Sequence, residues 1–201
     1  MRAGKNFLGV TRRLAGDRSG VAAVEFALIV PLLLALYFVT MEVAQAIEVN
    51  KKVGRVASMV ADLVTQQQEM SISELEGIMR IGEATLQPYN RTRANIIVTA
   101  IEVGLEATPT AKVVWSRRLI GQAFSAGPAK GTPVEIPAAL KVKGSFLVRT
   151  EAALSYQPVI TWAASAKTTL GLTAAFDSIP MGEGYYLRPR MSTDIPCYDC
   201  Y

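Results

Sequence analysis

A carboxylate at Glu25 stands one turn inside an apolar run that continues without a charged residue from Phe26 to Met41. Placing an acidic side chain within a bilayer helix costs on the order of 3 kcal/mol, so such a group calls for a cationic partner or a route to water. Two chemistries fit: pairing with a positive group, or snorkelling to the headgroup region only a turn away. The second spacing with chemical content is Pro196-Cys197-Tyr198-Asp199-Cys200, which holds both cysteines of the chain. Redox catalysis by a CxxC pair wants its first cysteine at a helix N-terminus within a thioredoxin-like unit, and the flanking sequence supplies none. In an oxidising compartment a small local disulfide between Cys197 and Cys200 is the favoured reading. Unpaired thiols and a link to another subunit stay open.

Other chemistries lose their support quickly. There is no histidine, which removes the commonest general base and metal ligand. Gly127-Pro128-Ala129-Lys130-Gly131-Thr132 has the look of a phosphate loop, but glycine follows the lysine and Pro128 lacks an amide. Glu74, Glu76, Glu102, Glu106, Glu135, Glu151 and Asp177 are scattered without an acid/base pair, and most read as solvated surface. The tripeptide Asn90-Arg91-Thr92 matches a glycosylation sequon and carries almost no weight. Trp115, Trp162 and the late tyrosines fit either an adhesive surface or core packing, with core preferred. Arg188 and Arg190 around Pro189 are expected to meet acidic side chains. Hence no catalysis, cofactor or metal is expected. The formal charge of +4 does not point to nucleic acid either. Residues 1 to 20 hold Arg2, Lys5, Arg12, Arg13 and Arg18 against Asp17, so the remainder is neutral.

The elements that must position these groups follow from periodicity. About 21 residues from Val21 to Met41, at roughly 1.5 Å each, span about 31 Å, the thickness of a bilayer's hydrocarbon core. A removable signal peptide would have a shorter core and a small-x-small exit; here Glu42-Val43-Ala44-Gln45 follows and the helical pattern continues. The basic N-terminal tail is the cytoplasmic side of such a span, which puts the bulk of the chain outside. Val49, Val53, Val56, Val60 and Leu63 step by four and three, placing them on one face of a helix expected to run from Val21 to Gln68. That face packs against the chain's own core or against a partner helix. Pro31 removes one helix hydrogen bond and bends or loosens the span.

Ser71-Ile72-Ser73-Glu74 fits a capping box opening a short amphipathic helix that ends before Pro88. Beyond Ala94 the period changes to that of strands: Asn95 to Glu102, Lys112 to Arg118, and above all Ser145 to Gln157, where apolar and polar residues alternate. Gly121 to Pro137 reads as a surface loop. A further strand is expected near Thr168 to Thr173, and Gly184 to Arg188 closes the sheet. The fold class is therefore α+β: a long N-terminal transmembrane helix (21–68) behind a basic segment (1–20), carrying a small antiparallel-sheet head (69–201), a lollipop in outline.

Gly20 after a basic stretch, an acid five places later and an aromatic directly after it resemble the processing site of type IV pilins. More narrowly, Gly20-Val21-Ala22-Ala23-Val24-Glu25-Phe26-Ala27-Leu28-Ile29-Val30-Pro31 is similar to the start of TadE-like proteins of the tight-adherence (Tad, or Flp) pilus system. The strong resemblance covers about Arg18 to Met41. Weaker echoes lie at Ser155-Tyr156-Gln157-Pro158 and Tyr185-Tyr186-Leu187-Arg188-Pro189-Arg190. The resemblance implies a prepilin leader cut after Gly20 by an aspartyl prepilin peptidase on the cytoplasmic side. It implies Val21 as the new amino terminus, and Glu25, followed by Phe26, as the group that pairs with that amine on a neighbouring subunit. The implied partners are that peptidase, other Tad pilins and pseudopilins, the inner-membrane assembly platform and the lipid bilayer, with no nucleic acid. The implied role is that of a minor pilin or pseudopilin of the bacterial inner membrane, with a cytoplasmic N-terminus, a periplasmic head and a place in an adhesive fibre. A membrane-anchored periplasmic scaffold that never enters the fibre is the alternative, and a bitopic enzyme or sensor with a ligand-binding head is a more distant one.

Overall fold

The computed structural model describes residues 20–89, 92–158 and 178–200. The basic segment ahead of Gly20, the Asn90-Arg91 pair, Trp162, Asp177 and the strand expected near Thr168 to Thr173 lie outside the described residues. The fold is α+β. Helix α1 runs Val21–Thr65, unbroken through Pro31, and stops three residues before the expected Gln68. Helix α2 runs Ile72–Thr85. Five strands follow: β1 Asn95–Val103, β2 Ala111–Ile120, β3 Ala123–Ala126, β4 Phe146–Tyr156 and β5 Ile179–Leu187. The chain divides into two compact units inside α1, Met1–Val43 and Ala44–Tyr201.

In the C-terminal unit the strands form one antiparallel sheet in the order β3-β2-β1-β4-β5. The valine stripe of α1 becomes its core. Val49, Val53, Val56 and Val60 are buried, and the stripe ends on the buried Val64 instead of the expected Leu63, which is only half-buried; these valines meet Leu75 and Met79 of α2 and Ile96, Val98, Trp115, Val148 and Leu154 of the sheet. The two helices approach closely at Gly82, where a Cβ would lie 2.6 Å from Val60 Cγ2.

The opposite face of the sheet has a smaller cluster, in which Ile101, Val103, Ala111 and Leu147 pack with Ile136. A bulge in β2 lets one strand serve both clusters. Ala100 opposes Trp115 while Ile101 opposes Val113, so Val114 is the extra residue. It reverses the facing of every β2 side chain beyond it: Ala111 belongs to the outer cluster and Trp115 to the helix-side core.

Two strand boundaries differ from expectation. The loop expected over Gly121 to Pro137 contains β3, because Gly121 at φ 58° turns the chain back on β2 with Ile120 paired to Ala123. Strand β5 starts at Ile179, well before Gly184; Pro180, Gly182 and Gly184 weaken its sequence signal but sit on a strand with a single described neighbour, β4.

Candidate functional site

The start of α1 is built from its own backbone. Gly20 lies just outside the helix, and its carbonyl accepts the first helical hydrogen bond, from the amide of Val24 at 3.1 Å. Val21 is the first helical residue and no acid stands in the first turn. The free amides there form the positive end of the helix dipole. Glu25 follows Val21 by four residues, so both share one face with the carboxylate a turn further in. Around them the surface is apolar and open: Val21, Val24, Phe26, Leu28 and Leu32 are all exposed. Thr40, the one markedly polar residue of the run, donates its hydroxyl to the carbonyl of Leu36 at 2.7 Å and so needs no outside partner. By length and composition this helix can cross a membrane.

The structure thus brings Gly20, Val21, Glu25 and Phe26 into one helical entry. It places Cys197 and Cys200 elsewhere, in a C-terminal segment bound to the helix-side core. The two sulfurs are joined, with Cα atoms 5.5 Å apart. The segment is held at several points. Arg190 donates its amide to the Thr65 carbonyl at 3.0 Å, and Pro196 accepts from the Met70 amide at 2.9 Å. The buried Trp115 donates its indole N–H to the Ile195 carbonyl at 2.7 Å. Asp199 Oδ1 accepts from the Ile72 amide at 2.9 Å, satisfying a first-turn donor of α2 that Ser71 does not reach. Arg190 also forms an ion pair with Asp62 at 2.5 Å, which supplies the acidic partner expected for it. Cys197, Asp199 and Cys200 converge within 4.8 Å, but sulfurs bonded to each other are not the thiolates a metal would need. None of these long-range fastenings leaves a local signal in sequence, and the roles of Asp199 and Ile195 were not legible there.

The capping box at Ser71 is present in full. Glu74 donates its amide to Ser71 Oγ at 3.3 Å and accepts from the Ser71 amide at 3.0 Å. Hydrogen bonds from the Ser71 side chain and then from its amide hold the Glu74 carboxyl below its ordinary value of 4.5. Glu76 meets Arg117 of β2, with Nε 3.0 Å from the carboxylate.

Residues 20–62 match the family model of TadE-like proteins. This segment is TadE-like. The match begins at Gly20, the residue that initiates α1, and takes in both Glu25 and most of the valine stripe. Comparison with curated proteins and with solved structures finds no match to the chain. The match covers 43 of the 201 residues, and the apolar helix it opens is compatible with single-pass anchoring in a membrane.

Proposed function

We propose that the chain is a minor pilin or pseudopilin of a Tad (Flp) pilus, with a mechanical rather than catalytic role. A prepilin peptidase removes the segment up to Gly20. The helix then starts with a charged amine at Val21, and it leaves the lipid for a bundle of like helices. The observation that carries this reading is the position of Glu25 on a bare apolar helix, one turn from Val21, in a TadE-like match that opens at Gly20. Two charges brought together in low dielectric cancel burial costs that either alone would bear. The i, i+4 spacing lets the carboxylate reach along the helix axis toward an amine on an adjoining subunit, which fixes subunit register. The C-terminal unit then lies on the periplasmic side and shapes the fibre where it is inserted.

The experiment is Glu25→Ala alongside Glu25→Gln, followed by immunoblotting of sheared pili and of membranes. Both variants should remain in the membrane, because losing the acid favours insertion, while their recovery in pili falls at least about tenfold, the size of a change of about 1.4 kcal/mol. Undiminished recovery of both variants in pili would refute the pairing. Pili that lack even the unaltered protein would instead favour a scaffold that stays in the membrane.

A further inference from the structure

The outer face of the sheet, away from the helices, holds polar atoms without a hydrogen-bond partner among the described residues. Strand register puts Asn95, Ile97 and Thr99 of β1, Ser116 and Arg118 of β2, Arg149 and Glu151 of β4, and Gly182, Gly184 and Tyr186 of β5 on this face, the same one that carries Ile101 and Leu147. Thr99 is completely buried and its Oγ1 has no hydrogen-bond partner; Nε of Arg118 and Nε of Arg149 are likewise buried without one among the described residues. Arg149 shares one charge with Glu151 at 3.1 Å. Arg118 has no ion pair among the described residues. Two guanidinium groups and one carboxylate leave the patch with an excess positive charge, and buried unmet donors are costly unless water or an ion meets them.

The neighbouring β5 leaves part of the patch open: Tyr186 faces Arg149, and the next two positions of β5 on this face are glycines. Gly182 and Gly184 put no side chain over Ala153 and Glu151, and a Cβ at Gly184 would meet only Glu151 Cγ at 3.7 Å. The Glu151 side chain is 42% exposed, so solvent reaches this edge. Thr99 lies on the strand between those of Arg118 and Arg149, whose strands stand about 10 Å apart. Side chains of that length can converge over it.

We propose that this face is an oxyanion-binding site, in which Arg118 and Arg149 hold a carboxylate or phosphate group above Thr99. The planar guanidinium fork suits a two-oxygen anion, and the Thr99 hydroxyl supplies one more donor. The site does not depend on the pilus reading, since it uses only the C-terminal unit.

The test is thermal unfolding of the full chain in detergent, with phosphate, acetate or chloride added at constant ionic strength, and calorimetric titration for stoichiometry. Phosphate should raise Tm saturably, by about 3 °C or more at roughly a hundred times its Kd, with one ion bound per chain. An equal response to acetate would point to a carboxylate ligand as well as a free phosphate; a response to phosphate alone would confine the site to phosphate. Arg118→Gln should weaken binding at least about tenfold, Arg118→Lys should weaken it through loss of the fork while keeping the charge, and Gly184→Val should weaken it by filling the recess. Arg55→Gln, at an exposed position on α1, should leave it unchanged. No saturable response, a chloride effect of equal size, or binding that survives both Arg118→Gln and Arg118→Lys would overturn the proposal.

Discussion

The two halves of α1 share a backbone and differ in what covers them. From Val21 to Val43 the large apolar side chains are mostly exposed, with Leu28 at 72%, whereas Val49, Val53 and Val60 in the second half are at 0%. The difference lies in pattern more than in apolar content. Beyond Ala44, charged and polar residues such as Lys51, Arg55 and Asp62 separate the valines and give the helix a side to turn to water. Before it, no such side exists. A striped helix finds its cover in its own chain, while one apolar all round must take cover from outside, as lipid or as other helices. One continuous element can therefore serve as anchor and as core.

The sharpest way to break this comparison is to put the same acid into each half. Val53→Asp places an unpaired charge in the core and should cost the C-terminal unit about 3–5 kcal/mol in denaturant unfolding of the full chain in detergent. Leu32→Asp should leave that transition in place and instead reduce membrane insertion, by about 3 kcal/mol on insertion scales. Equal responses at the two positions would erase the distinction.

Glycine substitutions sharpen it within the packed half. Gly82→Ala drives a methyl group toward Val60 Cγ2 at 2.6 Å, against a stiff β-branched side chain, and should cost about 1–3 kcal/mol. At Gly54 the added methyl meets Glu183 Cγ at 3.6 Å and the Tyr185 hydroxyl at 3.7 Å, ordinary contact distances. Gly54→Ala should therefore be neutral or stabilising by about 0.5–1 kcal/mol through helix propensity. The pair can be read by chemical denaturation, and the order of the two midpoints is the decisive result.

The smallest effect belongs to the α2 cap. Ser71→Ala should cost about 1 kcal/mol and let the Glu74 carboxyl return toward its ordinary 4.5, visible in an NMR pH titration. Because the folded-state value is lowered, the carboxylate's contribution is complete above the ordinary value. It is lost as pH falls through the lowered one. The unaltered protein should accordingly lose a little stability on acidification below about 4.5, and Ser71→Ala should lose less.

Much of this was legible in sequence where the physics is local. The step of four and three in Val49, Val53, Val56 and Val60 specified a buried face. Ser71 and Glu74 marked the start of α2, and the alternation from Phe146 to Tyr156 marked β4. What escaped was either short or non-local. Strand β3 is four residues long and lies in a glycine-rich stretch, so neither length nor composition announced it. The bulge at Val114 hid which residues of β2 share a face, since the odd positions read as one continuous set. Core packing is the reading the sequence favours for Trp115, but nothing near it in sequence names the Ile195 carbonyl as its acceptor, 80 residues on. At the helix start, sequence spacing alone places Gly20, Val21, Glu25 and Phe26 within two turns of one helix, because they fall inside seven consecutive residues. The outer face was not, because Arg149 and Glu151 have the alternation of solvated positions and only strand register places them near Arg118.

The most direct measurement is the intact mass and N-terminal sequence of the protein recovered from the membranes and pili of its own cells. The account predicts a chain beginning at Val21, with or without a methyl group on its amine, so that a new positive charge stands one turn from Glu25. A working protein that still begins at Met1 would contradict it.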